Sequence, residues 1–312
     1  MAMDIGIRFT GGLHIKGSRL NLDAPSRTRT SVVTHSEVGF LRRKAKIVLT
    51  SPLLSVIGKR GYMVPFPLVF FAPMEIEGVG LELYPSGYSK GASMVLLNVN
   101  GQKVLYASRL GLDQQRTTAE SPRVPDADFL VVAMSPIRFN QKNRGPVKAF
   151  KAVETQIERS LSRYNAAVIL SPLPADALEL ALTMKGRGLR VLMHPSFYAY
   201  SRRIGVPGFH RVQVMPGKRT LPAVILWPDR NTNNLLDGYK GPVLYLPGAS
   251  GDLQVPFSGM IDPWRVIKLA KQSNATKVFV VGALSEASTK VLTRSGLNFE
   301  VFTPPVQTEM SF

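Results

Sequence analysis

The sequence contains no cysteine, few acidic residues for its size and no long apolar run. Without cysteine, the 312-residue chain can form no disulfide, no thiolate zinc site and no cysteine nucleophile. No apolar stretch approaches the roughly 20 residues that a membrane-spanning helix needs. The first residues, MAMDIGIRF, also lack the apolar segment of a signal peptide. These absences predict a cytoplasmic or otherwise intracellular protein without a membrane partner.

Histidine is also scarce, and no two of the four histidines are closely spaced: His14, His35, His194 and His210. A hydrolytic metal centre needs clustered imidazoles and carboxylates, which hold the metal and lower the pKa of its bound water. We therefore predict no metal and no other cofactor, with His35 as a hydrogen-bonded structural residue. An oxygen-only magnesium or manganese site built from Glu37, Asp113 and Asp262 is the alternative.

Positive charge is abundant. Thirty-nine lysines and arginines against 21 aspartates and glutamates give a formal net charge of +18. Such an excess is typical of proteins that bind nucleic acid, because neutralising phosphates releases condensed counterions. The cations recur in short clusters along the chain, which favours a folded basic surface over a basic tail; unrelated solvated loops are the alternative. The clusters predict these nucleic-acid contacts: Arg42, Arg43, Lys44, Lys46, Lys59, Arg60, Arg202 and Arg203.

The pattern of predicted secondary structure changes once along the chain. Up to about residue 133, short β-type runs are separated by Gly and Pro, and Asn100-Gly101 between two apolar segments predicts a hairpin. From about residue 150, strands alternate with helical patterns, with helices predicted over 174–185, 263–272 and 286–295. The sequence therefore predicts an α/β protein that is mostly antiparallel at first and built from βαβ-like units later.

One motif points to a family. Residues 31–40, SVVTHSEVGF, resemble the metallo-β-lactamase signature T-H-x-H-x-D-H, in which histidines and an aspartate bind metal. His35 keeps the first histidine, whereas Glu37, Gly39 and Phe40 occupy the other ligand positions. The segment is similar to the first motif of metallo-β-lactamase-fold nucleases, in particular the β-CASP and ligase-associated DNA exonuclease branch.

Further segments resemble later motifs of the same family, again without the ligands. SGYSKGAS at 86–93 keeps the glycines of the third motif but has Tyr88 in the histidine's place. GQKVLYASRLG at 101–111 has Arg109 where the family has its metal-bridging aspartate. The turn SGMID at 258–262 lacks its histidine, and KVFVVGA at 277–283 has Gly282 in place of the last one. The resemblance thus implies the loss of a complete metal site.

The resemblance also implies an architecture: a metallo-β-lactamase-like αββα four-layer sandwich with an inserted β-CASP-like α/β domain. It places the first part of the core at 1–150, the insertion at 151–245 and the return to the core at 246–312. Arg109 is a permanent cation, so it would repel a dication. In the emptied site it would bind a phosphate of nucleic acid or pair with Glu37.

These observations favour a pseudoenzyme, a catalytically inactive nuclease relative that binds DNA or RNA through a basic surface or interdomain groove and assists an active partner. A scaffold that binds an acidic protein is the first alternative, and a hydrolase with a non-standard metal site is the second. The G-x-S-x-G match at 87–91 raises a nucleophilic Ser89, but the following residues predict a strand instead of the required helix. Phe197, Tyr198 and Tyr200 are candidates either for base stacking or for the core.

Overall fold

The computed structural model describes twelve segments of the chain: 7–9, 13–15, 19–23, 30–37, 45–58, 63–112, 116–134, 144–213, 221–229, 239–247, 253–302 and 309–310. These residues form a mixed α/β structure of three sheets and six helices. None of the helices in these segments has the length and apolarity to cross a membrane.

The chain divides into two compact units, and both are discontinuous in sequence. Unit 1 comprises 1–112, 119–136 and 260–312, and unit 2 comprises 113–118 and 137–259. The predicted domain boundary at 150/151 falls inside a helix, Pro146–Tyr164, that belongs to unit 2 as a whole. The predicted return at 246 precedes the point at which the chain leaves unit 2.

The first sheet of unit 1 has seven strands in the order β19-β1-β2-β3-β4-β5-β6. The strands from β19 to β3 pair antiparallel, and those from β3 to β6 pair in parallel. Its strands are β1 (Ile7–Phe9), β2 (Leu13–Ile15), β3 (Leu20–Leu22), β4 (Thr30–Val32), β5 (Ala45–Thr50), β6 (Met63–Leu68) and β19 (Glu309–Met310).

The second sheet of unit 1 also has seven strands, in the order β18-β17-β11-β10-β9-β8-β7. In this order, the strands from β18 to β10 pair in parallel, and those from β10 to β7 pair antiparallel. Its strands are β7 (Met74–Ile76), β8 (Val79–Pro85), β9 (Ser93–Val99), β10 (Gln102–Ala107), β11 (Phe129–Ala133), β17 (Lys277–Val281) and β18 (Phe299–Phe302). The predicted Asn100-Gly101 turn joins β9 to β10, and its φ angles of 53° and 82° are those of a type I′ hairpin turn.

Three apolar clusters define the layers of unit 1. Side chains from the inner faces of both sheets, among them Leu22, Val48, Leu83 and Phe279, form one core. Helix α1 (Ser51–Ile57) packs on the first sheet through Leu53. Helices α5 (Pro263–Gln272) and α6 (Glu286–Arg294) pack on the second sheet. The inner strands β5, β11 and β17 are therefore buried on both faces, which explains their continuous apolar runs.

Unit 2 contains a five-stranded parallel sheet in the order β14-β13-β15-β12-β16. Its strands are β12 (Ala166–Ser171), β13 (Val191–Met193), β14 (His210–Arg211), β15 (Ala223–Pro228) and β16 (Val243–Tyr245). Its helices are α2 (Pro146–Tyr164), α3 (Pro174–Gly186) and α4 (Pro195–Ile204). All three pack against the sheet, and α3 contacts both α2 and α4.

Candidate functional site

The segment that follows β4 is organised around a carboxylate that the motif comparison did not single out, Asp23. Its Oδ1 accepts the Thr34 backbone N–H at 2.8 Å, and its Oδ2 accepts the Thr34 hydroxyl at 2.6 Å. The same Oδ2 accepts the hydroxyls of Ser108 at 2.8 Å and Tyr106 at 3.1 Å. Burial, followed by the nearby Asp23 charge, raises the Tyr106 pKa well above its ordinary value, so Tyr106 stays a donor. These bonds fix the backbone immediately before His35.

The residues at the motif positions satisfy one another. The His35 Nδ1 lies 2.9 Å from the Glu37 Oε2, and the Tyr88 hydroxyl donates to the Glu37 Oε1 at 2.9 Å. Tyr88 is fully buried, and its ring meets the His35 ring edge-on at 6.5 Å between centroids. The structure therefore brings His35 and Glu37 of segment 31–40 together with Tyr88 of segment 86–93. His35 is hydrogen-bonded, as predicted.

Electrostatics at this cluster favour an ionised Glu37. Burial acts to raise the Glu37 pKa, but the hydrogen bond and charge of His35, the charge of Arg109 and the Tyr88 hydrogen bond together lower it. Arg109 follows β10 and is half-buried, and its Nη1 donates to the Ser108 carbonyl at 2.9 Å. The charge of Arg109 thus contributes to lowering the Glu37 pKa, whereas a direct pair between the two residues stays a prediction. Its buried Nε has no hydrogen-bond partner in the described residues.

The described residues contain no group of three or more His, Asp or Glu side chains that could hold a metal ion. Asp262, a member of the alternative oxygen-only site, caps α5 by accepting the Arg265 N–H at 2.8 Å. Asp113, another member, lies outside the described residues. Glu37 is engaged with His35 and Tyr88. The Asp23 Oδ2 lies 4.0 Å from the His35 Nε2, but that oxygen already accepts the hydroxyls of Thr34, Tyr106 and Ser108.

Gly282, where the motif resemblance predicted a histidine to be replaced, is constrained by its backbone. Its φ is +136°, and a Cβ there would lie 2.0 Å from the Met134 carbonyl oxygen. The strand pairing beside it is intact, since the Met134 N–H donates to the Val281 carbonyl at 2.7 Å. An imidazole at this position would need both segments to move, so the position excludes the ligand sterically.

The G-x-S-x-G match at 87–91 forms a turn between two antiparallel strands, β8 and β9. A nucleophile elbow joins a strand to a helix, and here β9 follows instead. The Ser89 hydroxyl is buried and has no hydrogen-bond partner in the described residues. Gly111 packs so tightly against this turn that a Cβ would lie 1.9 Å from the Gly87 carbonyl oxygen. Ser89 is therefore a turn residue.

The predicted nucleic-acid contacts occupy different environments. Lys46 is half-buried on β5, with its ammonium 4.3 Å from the centre of the Phe66 ring. Arg202 and Arg203 are exposed in the last turn of α4. Five others lie outside the described residues: Arg42, Arg43, Lys44, Lys59 and Arg60.

The aromatic residues before Arg202 belong mainly to the core of unit 2. Phe197 is 4% exposed and Tyr200 6% exposed, whereas Tyr198 is half-buried. The helical spacing of α4 turns Phe197 and Tyr200 inward and the arginines outward. The base-stacking interpretation of Phe197 and Tyr200 is therefore wrong, because their ring faces are covered.

Replacing Glu37 by glutamine should lower the free energy of unfolding by about 1.5 kcal/mol at pH 7, since hydrogen bonds to a charged group are lost or weakened. Because folding lowers the Glu37 pKa from its ordinary 4.5, the contribution of its charge is present above that value and is lost as the pH falls below it. The difference between wild type and Glu37→Gln in urea unfolding should therefore shrink between pH 5 and pH 3. A constant difference would contradict the ionised state of Glu37.

No family model and no curated protein matches this chain. Among solved structures, the chain is similar to a crystal structure of a protein of unknown function from Enterococcus faecalis V583, with a TM-score of 0.61 and 9% sequence identity. The match covers 99% of this chain and 100% of that chain. At this level of identity the likeness shows a shared fold alone.

Proposed function

We propose that this protein is a catalytically inactive relative of the metallo-β-lactamase-fold nucleases that binds nucleic acid through a basic surface. The observation that carries the proposal is the mutual pairing of His35, Glu37 and Tyr88 beside Arg109. These four residues come from three separate motifs of that family, and each stands at a ligand position. Their convergence supports the resemblance, and their chemistry argues against metal-dependent hydrolysis.

The layers of unit 1 support the finer fold assignment. Two mixed sheets pack face to face, with α1 on one outer face and α5 and α6 on the other, as in an αββα sandwich. Unit 2 interrupts unit 1 and has its own parallel sheet, which is what a β-CASP-like insertion would supply. On this proposal the insertion is drawn from 113–118 and 137–259.

The chemistry of the paired cluster opposes a metal ion. A dication bound at His35 would have to displace the Glu37 hydrogen bonds and tolerate the positive charge of Arg109 nearby. Among the described residues, it would also find no group of three or more His, Asp or Glu side chains, the kind of ligand set that lowers the pKa of a bound water. The retained cluster thus has a structural role, and the protein's function rests on binding.

Charge supplies the reason to choose nucleic acid as the ligand. Unit 2 contains 18 lysines and arginines against eight aspartates and glutamates, a net charge of +10. Two of those acids, Asp176 and Glu179, are buried and accept hydrogen bonds from their own unit. The exterior is therefore more positive than the count suggests. A surface of this kind attracts a polyanion of regularly spaced phosphates.

Salt dependence tests the proposal. Fluorescence polarisation of the full chain with labelled 20-nucleotide single-stranded and duplex probes should show binding that weakens steeply as salt rises. If about four phosphates are neutralised, the slope of log affinity against log salt is about −3, or roughly a 60-fold loss between about 50 and 200 mM salt. Absence of binding at the lower salt concentration would remove the proposed function.

Two further measurements separate the alternatives. A polyglutamate of matched charge that binds as tightly as the oligonucleotides, with an equal salt slope, would favour a scaffold for an acidic protein. Metal analysis of the purified protein, together with nuclease assays with and without a chelator, addresses the hydrolase alternative. Stoichiometric metal and chelator-sensitive cleavage would overturn the assignment of an inactive enzyme.

A further inference from the structure

The amino ends of the parallel strands in unit 2 lie at one edge of the sheet, together with the C-terminal ends of its helices. The first residues of neighbouring strands are in register there, with Ala166 opposite Ala223 and Val191 opposite Val224. Helix α2 ends at Tyr164, directly before β12. Crossover helices α3 and α4 run back along parallel strands, so their C-terminal ends lie at this same amino edge.

The amino edge is lined by exposed cations. We call the set the amino-edge rim: Arg163, Arg187, Arg190, Arg202, Arg203 and Lys240. Arg190 is held across the edge by a 3.1 Å hydrogen bond from its Nη1 to the carbonyl of Leu221, which precedes β15. Within the described residues, the single carboxylate at ion-pair distance from the rim is Glu154, 3.8 Å from Arg187. The rim is thus nearly uncompensated positive charge.

An exposed aromatic ring lies among these cations. Tyr164 is 39% exposed and meets the Tyr239 ring at 6.1 Å in a T-shaped contact. Tyr239 is itself fixed, because its hydroxyl donates to the Ala166 carbonyl at 3.1 Å. Arg163 and Lys240 are the chain neighbours of these two tyrosines. The edge therefore offers a supported ring flanked by positive charge.

Helix dipoles explain only part of this arrangement. Cations in the last turns of α2 and α4 compensate the partial negative charge at the helix ends, which accounts for Arg163, Arg202 and Arg203 in a protein without any ligand. Arg190 directly precedes β13, and Lys240 lies in the loop before β16, so both are outside the helices and that effect does not apply to them. Exposure of Tyr164 is also unexplained by a helix dipole.

We propose that the amino-edge rim binds single-stranded nucleic acid, with Tyr164 stacking on a base and Arg163 and Lys240 contacting the flanking phosphates. Stacking requires a free base plane, which a single strand offers and an intact duplex hides. This inference rests on the proposed function and adds to it the binding surface and the class of ligand. It assigns both to unit 2 alone.

The test uses the full chain and a labelled 20-nucleotide oligothymidylate, with a duplex of equal length as the second probe. Tyr164→Ala should weaken single-strand binding about tenfold, because stacking on an aromatic ring is lost. Tyr164→Phe, which keeps the ring, should bind within twofold of wild type. Arg163→Glu with Lys240→Glu should weaken binding about 30-fold, whereas the charge-conserving pair Arg163→Lys with Lys240→Arg should weaken it less than threefold.

A matched control reverses two exposed charges at the opposite end of α2, Lys148→Glu with Lys151→Glu. It makes the same change in net charge and should weaken binding no more than threefold. Circular dichroism and thermal melting of every variant establish that folding is unchanged.

These experiments distinguish failure of the rim assignment from failure of nucleic-acid binding itself. Equal losses in the rim and control variants, with no effect of Tyr164→Ala, would overturn the rim while leaving nucleic-acid binding intact. Preference for the duplex would overturn the single-strand assignment. Polyglutamate binding that is weakened by the same rim variants would replace nucleic acid with an acidic protein. No oligonucleotide binding by wild type would remove the proposed function itself.

Discussion

Replacing Asp176 by alanine should lower the free energy of unfolding of unit 2 by about 3 to 5 kcal/mol, the cost of leaving a buried partner charge uncompensated. Asp176 is fully buried, and its Oδ1 accepts a hydrogen bond from the Arg116 Nη2 at 2.6 Å. It also accepts the Ser258 hydroxyl at 3.0 Å and the Gly259 N–H at 2.9 Å. In the variant, the Arg116 guanidinium stays buried but no longer has the Asp176 carboxylate beside it.

The two tryptophans allow this loss to be assigned to one unit. Trp227 is buried in unit 2, and Trp264 is 46% exposed in unit 1. In a Trp264→Phe background, urea unfolding followed by fluorescence reports on Trp227 and hence on unit 2. Glu154→Ala is the matched control in the same unit, because its pair with Arg187 is half exposed and should contribute less than about 1 kcal/mol. Equal losses in the two variants would contradict a special role for the buried pair.

Asp23→Ala should lower the free energy of unfolding of unit 1 by about 3 kcal/mol. The substitution leaves the Thr34 N–H and the Tyr106 and Ser108 hydroxyls without their acceptor, and buried unsatisfied donors cost about 1 to 3 kcal/mol each before they rearrange. Asp23 also has a φ of 51°, which alanine adopts less readily than aspartate. Urea unfolding followed by far-UV circular dichroism measures the total.

Asp23→Gly separates the two contributions, because glycine tolerates the positive φ but provides no carboxylate. We expect it to be destabilised by about 1 kcal/mol less than Asp23→Ala. Hydrogen exchange over residues 30–37 should accelerate in both variants, since each releases the Thr34 amide. Unchanged protection of that amide would argue that Asp23 does not hold the segment before His35.

Local signals in the sequence predict much of the fold. Helix 263–272 is confirmed at its predicted bounds, because Asp262 caps it and Pro263 begins it. Asn100-Gly101 gives the predicted hairpin, since both residues accept positive φ. Helix α1 was not predicted, because its Ser-Pro start follows a buried strand and its seven residues are too few for a periodic pattern.

The sequence likewise indicates some residues of the candidate site and misses others. Glu37, Tyr88 and Arg109 can be singled out from the sequence, because each lies in a motif that is flanked by glycines or by predicted strands. Asp23 is not, because its role depends on Thr34, Tyr106 and Ser108, which are distant in sequence. Tyr164 is likewise hidden: its exposure follows from where α2 ends and from its contact with Tyr239. The one local signal that could have indicated Asp23 is an acidic residue directly after the apolar strand Leu20–Leu22.

The buried carboxylates of α3 bear on whether unit 2 can fold autonomously. Asp176 and Glu179 take their partners Arg116, Thr117 and Thr118 from a six-residue segment, 113–118, that 119–136 separates from the rest of the unit. A polypeptide of residues 137–259 alone would carry two buried anions without those partners. We therefore expect unit 2 to fold on its own only when segment 113–118 is included. Gene fusions and domain exchanges that use this unit must carry both pieces of sequence together.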